Sequence, residues 1–72
     1  MTLQEYLITY NSLNNREVPY SSKAVKRWER ETNKIVKKIM KRYNLSNLDA
    51  RITLIIRLKE NNLIRLEELV NG

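Results

Sequence analysis

Cysteine and histidine are absent from this chain, and glycine and proline occur once each. Without cysteine there is no disulfide to staple a small fold. Without either residue there is no Cys/His zinc site, no thiol nucleophile and no imidazole base. A single glycine leaves no Gly-rich loop to cradle phosphates. No apolar run approaches the roughly 20 residues of a membrane span, and the first residues lack the basic and apolar regions of a signal peptide. The expectation is a soluble, intracellular, non-enzymatic protein with no cofactor and no metal.

What is abundant is helix-forming residues: Leu, Ile, Lys, Glu and Asn dominate, and the hydrophobic fraction is 42%. A 72-residue chain buries only about 60% of its unfolded surface, so its stability is marginal and oligomerisation is the natural staple left to it. The net charge of +6 is unevenly placed: Lys23 to Arg42 holds nine basic and two acidic residues (+7), the remainder five and six (−1).

Periodicity predicts an all-α fold of three main helices and a short helical tail. Thr2 with Glu5 forms a capping box, and Leu3, Tyr6, Leu7, Tyr10 and Leu13 follow at helical spacing. Asn14 and Asn15 break that pattern, and Pro19 marks a linker. A long second helix begins at Ser21 or Ser22 and runs to about Tyr43. Along it Val25, Trp28, Thr32, Ile35, Val36, Ile39, Met40 and Tyr43 fall within an arc of about 140°. Lys23, Lys26, Arg27, Arg30, Lys34, Lys37, Lys38 and Lys41 occupy the opposite side. The apolar stripe has the spacing of a short coiled-coil seam, and we read Val25, Trp28, Thr32, Ile35, Val36, Ile39 and Tyr43 as dimer or core residues.

Ser46, three residues before Asp49, opens a third helix to about Glu60. Asn61–Asn62 interrupts it, and Leu63, Leu66 and Val70 mark a last helical stretch. On the third helix Leu48, Ile52, Ile55 and Ile56 share a face that suits packing on the second helix. Leu54 and Leu58 lie on the far side. A helix apolar on two sides needs two coverings: either the first helix or a second subunit covers Leu54 and Leu58, or these two and the tail form a docking face, with Arg57 and Arg65 at its rim.

The cationic side of the second helix, with Lys34, Lys37, Lys38 and Lys41 at its centre, suits phosphate contacts, and it equally suits simple solvation. The last two helices make a poor DNA reader, because Glu67 and Glu68 outweigh Arg65 on the segment that would enter the groove. A membrane-surface role competes with the need for the same apolar face in the core.

The order of features resembles one family. A cysteine-free helical chain with a long basic second helix and the ending "IIRLKENNLIRLEELVNG" is similar to the small capsid-morphogenesis scaffolding proteins of staphylococcal pathogenicity islands. The resemblance implies a helical homodimer, in the bacterial host cytoplasm and inside procapsids, that directs a helper phage's major capsid protein into a smaller shell. Its C-terminal segment would bind the inner capsid surface in competition with the phage's own scaffold. Carried onto this sequence, the capsid-binding residues would be Ile52, Ile55, Ile56, Arg57, Leu58, Ile64, Arg65 and Leu66. Residues 1–50 would then be the dimerisation region and 51–72 the capsid-binding segment of one domain, with nucleic acid a secondary partner and no membrane involved.

Overall fold

The computed structural model describes residues 1–15 and 21–71. The chain forms α1 (Leu3–Asn15), α2 (Ser22–Tyr43), α3 (Asn47–Lys59) and α4 (Leu63–Val70), with no strand among the described residues. The expected all-α class holds. The last stretch is a complete, capped helix, so the described residues hold four helices where three and a tail were expected. Asn14 and Asn15 do not break α1, which includes both. The expected Pro19 linker, with Glu17 and Tyr20, lies outside the described residues.

Local chemistry sets each boundary. Thr2 Oγ1 accepts from the Glu5 amide, Ser21 Oγ from the Ala24 amide and Ser46 Oγ from the Asp49 amide, each satisfying a backbone donor that a helix start leaves orphaned. Asn62 does the same for α4, its Oδ1 accepting from the Ile64 and Arg65 amides at 3.1 and 3.3 Å. Two turns use left-handed backbone: Asn44 (φ 53°) closes α2 and Asn61 (φ 52°) closes the turn after α3. Asparagine is the non-glycine residue that tolerates this region best. A chain with almost no glycine therefore makes its reversals with asparagine.

The core draws on all four helices: Tyr6 and Leu7 from α1, Ile35, Val36 and Ile39 from α2, Ala50, Leu54 and Leu58 from α3, and Leu66, Leu69 and Val70 from α4. The Tyr6 ring stacks on Trp28 with centroids 5.0 Å apart, and Tyr10 lies beyond at 6.5 Å. The Tyr6 hydroxyl sits 2.7 Å from Thr32 Oγ1, which itself donates to the Trp28 carbonyl at 2.8 Å. Thr32, the polar interruption in the α2 stripe, thus fixes α1 on α2 within one chain. Polar ties close the periphery: Asn11 Nδ2 donates to Asn61 Oδ1, Arg42 Nη1 to the Glu68 carbonyl and Arg51 Nη2 to Asn33 Oδ1.

The radius of gyration is 12.0 Å, close to the roughly 11 Å expected for a folded chain of this length. The C-terminal third does not project from the rest. Residues 51–72 supply five of the eleven buried hydrophobic residues among those described, so that segment is built into the fold.

Candidate functional site: an uncovered aliphatic stripe on α3

The face of α3 that packs inward is the opposite of the one expected. Leu54 and Leu58 are each 2% exposed and Ala50 is 0%. Leu48, Ile52, Ile55 and Ile56 are 66%, 47%, 44% and 53% exposed. The physical reason is the fourfold spacing of Ala50, Leu54 and Leu58. These residues make one i, i+4 ridge, and the small Ala50 lets the α3 backbone approach its neighbours closely. Two γ-branched leucines then fill the space that α2 and α4 leave. The flanking arginines do not obstruct this packing, because their heads reach outward. Arg51 Nε donates to Asn47 Oδ1 at 2.9 Å while its Nη2 reaches Asn33 on α2 at 2.7 Å, so the aliphatic stem covers the edge of the core.

The result is a stripe of four large aliphatic side chains, each about half or more exposed. With 100° per residue they span an arc of about 100°, centred about 140° from the buried ridge. Their successive spacings of 4, 3 and 1 place them along about 12 Å of helix axis. Lys59 falls in the same arc and is exposed at its C-terminal end. Singly exposed apolar residues are ordinary, whereas these four lie together on one helix face and make a contiguous apolar patch.

The residues implied by the family resemblance divide accordingly. Ile52, Ile55 and Ile56 lie in the stripe. Ile64 is 67% exposed on the outer side of α4. Leu58 and Leu66 are buried at 2% and 0%, so they support the fold and are not surface contacts. Arg57 and Arg65 are already engaged. Their Nη1 atoms lie 3.2 and 3.4 Å from Glu60 Oε2, forming a two-arginine clasp on one carboxylate across the α3–α4 turn. Arg57 lies toward the buried ridge rather than at the rim of the stripe.

The expected dimer seam on α2 is also spoken for. Ile35, Val36 and Ile39 are buried within the chain itself, Trp28 and Thr32 are half-buried against Tyr6 of α1, and Val25 is half-buried. Tyr43 departs from the expectation. It is 44% exposed, because the left-handed Asn44 turns the chain away and leaves the ring at the rim with the Arg42 guanidinium 5.1 Å above it. On the opposite side of α2, Lys34, Lys37, Lys38 and Lys41 are all exposed. Among the described residues one ion pair touches that group, Lys34 with Glu31 at 3.7 Å.

Comparison with protein-family models, characterised proteins and solved structures finds no match in any of the three. No helix among the described residues is long and apolar enough to cross a membrane.

Proposed function

We propose that this chain is a non-catalytic interaction protein that docks a partner along the α3 stripe. The carrying observation is the stripe itself: Leu48, Ile52, Ile55 and Ile56 stand uncovered on a helix whose other face is locked into the core. A helix that presents anchors three and four residues apart suits insertion into a hydrophobic groove. Because the helix is already folded and held, docking pays little ordering entropy.

The resemblance stated above supplies the partner. In this reading the stripe seats on the inner face of a helper-phage major capsid protein, and the bound scaffold redirects assembly toward a smaller shell in the host cytoplasm. Ile52, Ile55 and Ile56 carry the contact, and the exposed Ile64 on α4 is a further contact that the resemblance implies. Leu58 and Leu66 act by holding α3 and α4 in place. Many weak copies acting together would suffice, since multivalency multiplies modest affinities. The homodimer that the resemblance implies would have to form outside the α2 stripe, and would present two α3 faces in a fixed relation.

The test is co-sedimentation of the purified protein with the helper capsid protein, alongside Ile52→Asp/Ile56→Asp and Lys34→Glu/Lys38→Glu. The expected result is loss of co-sedimentation in the first variant only, with its helical circular dichroism intact and its own molecular mass unchanged. A dimer that the aspartates convert to a monomer would assign the stripe to a second copy of this chain. Full binding by the aspartate variant would remove α3 as the docking surface.

A further inference from the structure

We propose that the outer face of α2 is a second, independent binding surface, for the phosphate backbone of duplex nucleic acid without regard to sequence. Lys23, Lys26, Arg27, Arg30, Lys34, Lys37, Lys38 and Lys41 are all exposed. Helical geometry places them within an arc of about 120° along about 27 Å of axis. The single ion pair among them in the described residues, Lys34–Glu31, leaves the Lys34 side chain 72% exposed. The segment that carries them holds +7 of charge while the remaining chain sums to −1. Solubility alone is served by interspersed charges of both signs, whereas one-sided accumulation raises a local potential that concentrates polyanions.

The shape of the patch selects among polyanions. Duplex DNA carries one negative charge per about 1.7 Å of axis, so the 27 Å of the patch faces roughly sixteen phosphates on the two strands together. A straight, rigid helix meets only the phosphates on its own side, so three or four contacts are expected. An anionic bilayer instead favours a helix with an apolar face free to enter the headgroup boundary. The apolar residues of α2 are directed the other way, with Ile35, Val36 and Ile39 buried in the core. No aromatic side chain lies within the cationic arc for stacking on single-stranded bases, which leaves the duplex backbone as the fitting ligand.

This surface is physically separate from the α3 stripe, so the two proposals stand or fall apart. The experiment is fluorescence anisotropy with two unrelated 20-base-pair duplexes at 50 and 200 mM salt, with vesicles of equal phosphatidylserine and phosphatidylcholine measured in parallel. The expected result is equal affinity for both duplexes, in the micromolar range at the lower salt. Three or four phosphate contacts then weaken binding roughly 40- to 150-fold at the higher salt. Lys34→Glu/Lys38→Glu/Lys41→Glu, verified as folded by circular dichroism, should lose at least tenfold, and Ile52→Asp/Ile56→Asp should bind as the parent does. Absence of binding at 50 mM salt, or undiminished binding by the folded triple variant, would overturn the proposal. So would tighter binding to the vesicles than to either duplex, which would assign the face to lipid.

Discussion

Leu54 and Ile55 are consecutive residues that face opposite fates: Leu54 is 2% exposed at the centre of the core and Ile55 is 44% exposed on the outside. A 100° step along one helix separates the side chain that holds the fold from one that is free to bind. The same division runs through α3, with Ala50, Leu54 and Leu58 inside and Leu48, Ile52, Ile55 and Ile56 outside. Substitutions on the two faces therefore separate the stability of the fold from the proposed docking within eleven residues.

That separation gives a first expectation. Leu58→Asp buries an uncompensated carboxylate in a protein whose total stability is on the order of 4–10 kcal/mol, and it should not fold. Leu58→Ala should cost about 2–5 kcal/mol. Ile56→Asp, on the exposed side, should change stability by no more than about 0.5 kcal/mol. Urea unfolding followed by circular dichroism distinguishes these cases. Comparable loss from Ile56→Asp would mean that the outer stripe is packed.

Tyr6 makes stability depend on alkaline pH. Burial raises its pKa above the ordinary phenol value, with the nearby Thr32 hydroxyl working the other way. The folded state thus prefers the neutral phenol. The stabilisation it lends is complete below the unfolded value of about 10 and is lost as pH rises through the higher folded value. Melting temperature should fall more steeply above about pH 10 in the parent than in Tyr6→Phe, which has no proton to lose. Parallel curves would show that Tyr6 ionises without cost.

The asparagine turns give a third. Asn44→Ala forces a β-carbon into left-handed backbone and should cost about 1 kcal/mol, whereas Asn44→Gly should be neutral within a few tenths or slightly stabilising. Equal melting temperatures for the alanine and glycine variants would contradict the positive φ.

Much of this architecture was legible in the sequence. Ser21, Ser46 and Thr2 announced helix starts by chemistry that acts over three residues, and the α2 stripe was long enough for its period to be unambiguous. The orientation of α3 was not legible. With aliphatic residues on both sides, periodicity alone cannot choose a face, and isoleucines outweigh the alanine that decides the matter. The Ala50–Leu54–Leu58 ridge was the available signal, and it counts only once a small residue is valued for close backbone approach. Leu69 was missed because a helix of eight residues gives barely two turns of pattern. Asn62 was read as an interruption because an asparagine after a helix and one before the next look alike until the cap is seen.

The docking claim is tested most directly by electron microscopy of particles assembled from the helper capsid protein with the parent chain or with the folded Ile52→Asp/Ile56→Asp variant. The parent should yield small, uniform shells, and the variant only shells of the helper's normal size. Small shells persisting with the variant, or normal shells with both, would contradict a scaffold that works through the exposed face of α3.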